Sequence, residues 1–154
     1  GHSDSVQNAK DYLRDIAGIR VICYFIDDIY NLVNALKRQS ELIFIREKDY
    51  IQNPKPNGYR SFHVIIAVPV YYLDTMEYFP VEIQLRTMTM DLWASMEHRV
   101  CYKKLPEHRD ELAEAFCQYA DILGKIEEQF EAYNETGMLE EITPAQITEN
   151  PTEG

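Results

Sequence analysis

The stretch Asp49-Tyr-Ile-Gln-Asn-Pro-Lys-Pro-Asn-Gly-Tyr-Arg-Ser61 combines turn-forming residues with groups that can hold a nucleotide. Pro54 and Pro56 restrict the backbone on both sides of Lys55, and Gly58 lets the chain turn sharply just before Tyr59. An ammonium and an aromatic ring on a stiff support suit a nucleotide's phosphate and base. An ordinary loop between strands, carrying a few charges, is the competing reading. A second stretch, Val81-Glu-Ile-Gln-Leu-Arg86, alternates strictly. A strand there projects Glu82, Gln84 and Arg86 from one face and Val81, Ile83 and Leu85 from the other. An acid, an amide and a guanidinium are costly if buried without partners, and make sense lining a wet cleft. An edge strand with its polar side in water would also explain them. Asp15 lies just ahead of a strand, within Asp15-Ile-Ala-Gly-Ile-Arg20. Asp15 and Glu82 could hold Mg²⁺ jointly, since that ion takes one or two carboxylates and completes its shell with phosphate and water.

The elements that must position these groups follow from periodicity. A polar lead from Ser5 to Arg14 reads as a short helix, and Ile19–Phe25 as a strand rich in β-branched and aromatic residues. Asp27 or Asp28 can cap a helix with the stripe Ile29, Leu32, Val33 and Leu36. Leu42–Ile45 is expected as a second strand, Ser61–Val68 as a third, Pro69–Glu77 as a hairpin connection and Tyr78–Arg86 as a fourth strand. Thr87 can cap a helix burying Met88, Leu92, Met96 and Val100, with Trp93 and Met90 also expected to pack. Leu112, Phe116, Tyr119, Leu123, Ile126, Phe130 and Tyr133 recur at alternating spacings of four and three, a heptad seam on one long helix. That seam suits packing on the chain's own elements, or a partner helix. Beyond Glu135, prolines, threonines and acids predict a disordered acidic tail over 136–154, leaving one domain over 5–135.

At 154 residues and 45% hydrophobic content, one solid core is expected. No apolar run approaches the length needed to span a membrane, and no signal-peptide pattern opens the chain. Scattered Cys23, Cys101 and Cys117 fit buried thiols in a reducing cytoplasm, and neither His nor Cys spacing suggests zinc. The net charge of −11 arises entirely after residue 104, where Arg109 and Lys125 face 13 acids; before it, 13 cations balance 13 acids. Arg46, Lys48, Lys55 and Arg60 gather in the neutral part. They suffice for one small polyanion and are thin for RNA or another long nucleic acid.

Four segments in one order resemble the RelA/SpoT-type (p)ppGpp synthetase family: Asp15–Arg20, Arg46–Ile51, Pro54–His63 and Val81–Thr87, with Trp93–His98 and Tyr102-Lys103 following. The length resembles the small alarmone synthetase branch. The resemblance implies an α+β, nucleotidyltransferase-like mixed sheet flanked by helices, with the long helix at its C-terminal end. It implies transfer of pyrophosphate from ATP to the 3′-hydroxyl of GTP or GDP, with release of AMP. On that basis Asp15 and Glu82 would bind Mg²⁺, and Glu82 would help deprotonate or orient the hydroxyl. Tyr59 would stack on guanine, with Lys55, Asn57 and His63 around the acceptor nucleotide. Arg20 would stack on adenine, and Arg46 and Lys48 would meet the ATP phosphates. Gln84 and Arg86 would support the cleft, with Glu97 and His98 farther out. Family members carry ATP-gripping helices before the Asp-Ile-Ala-Gly segment; fourteen residues precede Asp15 here and none of them match. The acceptor half of the site is thus expected complete and the donor half incomplete. A non-catalytic guanine-nucleotide-binding module is the alternative function, and homo-oligomers are usual among small members.

Overall fold

A computed structural model of the protein describes residues 17–101 and 109–136. The elements are β1 (Ala17–Cys23), α1 (Ile26–Lys37), β2 (Ile43–Asp49), β3 (Phe62–Tyr72), β4 (Thr75–Thr87), α2 (Met88–Cys101) and α3 (Arg109–Thr136). The strands form one mixed sheet in the order β1-β4-β3-β2, with β1 parallel to β4 and the other pairs antiparallel. This is the α+β architecture expected. The Ser5–Arg14 lead, Asp15, Tyr102, Lys103 and the tail over 137–154 lie outside the described residues.

Strict alternation sorts the sheet into two faces. One face is apolar: Val64, Ile66, Phe62, Ile83 and Leu85 pack with Ile29 and Val33 of α1 and Met90 of α2. The stripe on α1 is therefore core, as its spacing predicts. Its N-cap is Phe25, and Asp28 accepts the Phe25 N–H at 3.1 Å, so the acid works from inside the first turn and not as the cap residue. Thr87 does cap α2, its hydroxyl accepting the Met90 N–H.

Several expectations about elements are corrected. β2 continues through Arg46–Asp49 after a register shift between Phe44 and Arg46, so the charged residues there belong to the strand. The predicted hairpin connection is mostly strand: β3 and β4 stay paired out to Tyr72↔Thr75. Pro69 is tolerated because β2 pairing ends at Ala67, leaving a free edge where it sits. On α2 the buried residues are Met90 and Trp93, whereas Met88, Leu92 and Met96 are exposed. α3 approaches from the Trp93 side and leaves the other flank uncovered. The seam on α3 is likewise divided: Phe116 and Leu123, with Ala120, pack on Trp93 and Tyr59, while Tyr119, Ile126, Phe130 and Tyr133 are exposed. The three cysteines are only partly buried. Among the described residues no helix is long and apolar enough to cross a membrane.

Candidate active site

The second face of the sheet carries the candidate site residues, because pairing sets polar side chains side by side across all four strands. Arg20 pairs with Gln84, Gln84 with His63, and His63 with Lys48. The next row runs Gly18, Glu82, Ile65 and Arg46. β4 is an interior strand, which disposes of the edge-strand explanation for Glu82, Gln84 and Arg86. Gly18, Ile19, Arg20, Glu82 and Gln84 line an open cleft with about 450 Å³ of empty space. Gly18 sets no side chain beside its partner Glu82, and a Cβ there would meet nothing within 4 Å. Among the described residues, the floor next to the carboxylate is bare.

The loop over 50–61 is held at its base and along its turn. Tyr50 N–H donates to Ser61 O, and Ser61, fully buried, donates its hydroxyl to Leu85 O. Asp49 accepts the N–H groups of Ile51 and Gln52 and the hydroxyl of Tyr30, whose pKa burial and then this carboxylate push up to about 12. Within the turn, Gly58 N–H donates to Lys55 O, Lys55 N–H to Tyr59 O, and Tyr59 N–H to the Asn57 side chain. Asn57 thus shapes the turn itself.

From this loop Tyr59 enters a hydrogen-bonded chain with a defined direction. Arg86, nearly buried, donates to the Tyr59 oxygen at 2.9 Å, to Gln84 at 3.2 Å and to Asp91 at 3.0 Å. A guanidinium only donates, so the Tyr59 proton turns to His63 Nε2 at 2.8 Å. His63 must then be the Nδ1–H tautomer, and Nδ1 faces Glu82 Oε1 at 3.3 Å. The His63 pKa is lowered, chiefly by burial, with Arg86 and Lys55 adding and Glu82 opposing. The neutral ring is the form this chain of bonds requires. Around Tyr59, the Lys55 ammonium sits 4.8 Å from the ring centre and 5.0 Å from that of Tyr50, with Lys48 5.9 Å from Tyr50.

The structure therefore brings together Glu82, His63, Tyr59, Gln84, Arg86, Lys55 and Lys48, and sets Arg20 beside them through a 3.5 Å ion pair to Asp91. The expected ATP-binding trio is split: Arg20 lies on β1, and Arg46 and Lys48 on β2, about 14 Å away across three strand spacings with Glu82 between. Arg60 leaves the expected cationic group altogether, since its guanidinium donates to Ala120 O of α3. Both nitrogens of His63 face groups of the protein, Nε2 the Tyr59 hydroxyl and Nδ1 the Glu82 carboxylate. Glu97, half-buried, and His98, exposed, lie farther along α2, about 9 Å of helix rise beyond Asp91. Sequence reasoning missed Asp91 and Tyr50. An acid in the first turn after a capping threonine, and an aromatic opening the loop, were the available signals.

Glu82 suits a share in a divalent cation: one of its oxygens lies 3.3 Å from His63 Nδ1, and among the described residues the cleft floor beside it is clear. Among the described residues no group of three His, Cys, Asp or Glu side chains could hold a metal. An ion at Glu82 would have to draw further ligands from phosphate and water, the habit of Mg²⁺.

Residues 2–107 match the region found in RelA / SpoT proteins. The chain is 46% identical over 125 residues to the GTP pyrophosphokinase YwaC of Bacillus subtilis, an alignment covering 81% of this chain and 60% of that protein. The fold superposes on small alarmone synthetase 2 of B. subtilis with a TM-score of 0.75 and 44% identity, covering 84% of this chain and 71% of that one. Small alarmone synthetase 1 of the same organism, bound to its product pppGpp, gives 0.74 at 27% identity, with 87% and 68% covered.

Proposed function

The chain belongs to the RelA/SpoT family, and we propose that it is the acceptor-bearing part of a (p)ppGpp synthetase that moves pyrophosphate from ATP to the 3′-hydroxyl of GTP or GDP. The acceptor 3′-oxygen attacks the β-phosphorus of ATP, the bridge from the α- to the β-phosphate breaks, and AMP leaves with that bridging oxygen. The hydroxyl proton goes to Glu82. The single observation that carries this reading is the chain Arg86–Tyr59–His63–Glu82, with links of 2.9, 2.8 and 3.3 Å. It locks an aromatic platform and a carboxylate base one imidazole apart, a span that a nucleoside bridges from base to ribose. Such alignment, with cations around the phosphates, is most of what phosphoryl-type transfer asks of a protein.

In this scheme guanine takes the place of the Lys55 ammonium over Tyr59, a contact worth roughly 1–3 kcal/mol. Lys55 then swings to the acceptor phosphates, while Asn57 keeps the turn. Arg46 and Lys48, on the Tyr59 side of Glu82, meet the β- and γ-phosphates under transfer. Arg20, exposed on the far side and steadied by Asp91, stacks on adenine. Gln84 and Arg86 hold the cleft. Mg²⁺ would be held by Glu82, with Asp15 as the second carboxylate, and would neutralise phosphate charge. The chain spans about 60% of the length of YwaC. The exposed apolar flank of α2 and α3, including Leu92, Met96, Tyr119 and Ile122, supports a homo-oligomer. A product assay tests the function: ATP with GTP or GDP should yield AMP and a 3′-pyrophosphorylated nucleotide. Guanine-nucleotide binding without any AMP, in the longest available form of the protein, would instead identify a non-catalytic binding module.

A further inference from the structure

Tyr59 and Arg60 are adjacent, yet they point to opposite sides: the phenol to His63 and Arg86, the guanidinium to the carbonyl of Ala120 in the middle of α3. The residue one turn on from Ala120 is Gly124. A Cβ there would stand 2.6 and 2.7 Å from the two terminal nitrogens of Arg60. Real Cβ atoms essentially never come so close to a neighbour, so a Cβ at position 124 requires this guanidinium to move. Gly58 makes a similar approach from the loop, with φ at +90°; a Cβ on it would lie 2.8 Å from Ala120 Cβ and 3.3 Å from Cys117 Cα. Cys117 Sγ in turn lies 3.9 Å from Pro56 O. Positions 117, 120 and 124 share one helix face. They form a low track along which Pro56, Gly58 and Arg60 are seated, one from each alternate residue of the loop.

We propose that Arg60, seated on the Cys117-Ala120-Gly124 track of α3, is a positioning residue that fixes the Tyr59 ring for the guanine base. Gly124 is the residue that makes the seat possible. Arg60 touches no substrate; it acts by holding the backbone beside Tyr59, while Arg86 and His63 hold the phenol oxygen and Trp93 meets the ring edge-on at 6.3 Å. The inference rests on the reading of Tyr59 as the base platform.

The discriminating variant is Gly124→Ala. Alanine is the better helix former, so the melting temperature should stay level or rise, while the added methyl dislodges Arg60. The Kd for GDP should rise about fivefold, the low end of what base–aromatic stacking contributes, and the Kd for ATP should not move. Arg60→Ala should have a like effect on GDP, and adding Gly124→Ala to it should change GDP binding no further. Tyr59→Ala is measured alongside. If Tyr59→Ala weakens GDP binding but Gly124→Ala and Arg60→Ala leave it unchanged, the inference is overturned and the platform stands. Equal weakening toward ATP and GDP, or a fall in melting temperature that accounts for the loss, also overturns it. If Tyr59→Ala has no effect on GDP, the platform reading fails and takes the inference with it.

Discussion

Replacing Arg86 by methionine keeps much of the side chain's bulk and removes its charge and donors. Arg86 is 6% exposed and binds Asp91, Tyr59 and Gln84 at once. The bond to the Asp91 carboxylate contributes about 1.5–3 kcal/mol, and each neutral bond about 0.5–1.5. Two effects offset this. The arginine Nε is buried without a partner, a cost that methionine relieves. Asp91 is 27% exposed and keeps Arg20 at 3.5 Å, so its charge is not stranded. The net loss should be about 2–3 kcal/mol, somewhat below the ~3–5 kcal/mol for breaking a fully buried pair. For a chain of this size that lowers the melting temperature by about 4–12 °C. Urea unfolding should show the same loss with an unchanged slope. A double-mutant cycle with Asp91→Asn should give a coupling of roughly 1–2 kcal/mol. If Arg86→Met lies within about 0.5 kcal/mol of the parent, as an ordinary surface change would, Arg86 does not organise the site.

Because His63 titrates below its ordinary range in the folded protein, the folded state binds its proton less readily than the unfolded state. The stability this contributes is complete above about pH 6.5 and is lost as pH falls toward the folded value. Denaturant unfolding from pH 7.5 to 5 should show that loss in the parent and a flatter profile in His63→Gln; identical profiles would be against it. Gly58→Ala should cost about 2–4 kcal/mol, from a left-handed backbone and a clash with Ala120 and Cys117, and calorimetry would expose a smaller effect. Ile122→Glu, on the exposed flank of α3, should shift sedimentation to a smaller assembly with little change in melting temperature. An unchanged sedimentation coefficient would remove that flank from the oligomer contact.

The sheet and its two faces were legible because β-strand alternation is local: the six residues Val81–Arg86 announce which side is core without knowledge of neighbours. The loop was legible for the same reason, through Pro54, Pro56 and Gly58. What escaped depends on distant partners. Arg60 looks like one more cation until α3 is seen to offer Ala120 O sixty residues away. Met88, Leu92 and Met96 have the spacing of a buried stripe, but α3 covers the Trp93 side and not theirs. Pro69 looks like a strand breaker until β2 is seen to stop two residues short of it. Asp91 gains its meaning only from Arg86 and Arg20, which reach it from two strands.

Glu82→Gln separates catalysis from binding most directly, since the amide keeps the side chain's shape and removes the proposed base. Turnover of ATP and GDP to AMP and pyrophosphorylated product should fall by about 10²–10⁴, while the Kd for GDP on the Tyr59 platform changes less than about threefold, under ~0.7 kcal/mol. Undiminished turnover, or loss of GDP binding in step with loss of turnover, would contradict the assignment of Glu82 as the base at the end of the Tyr59–His63 chain.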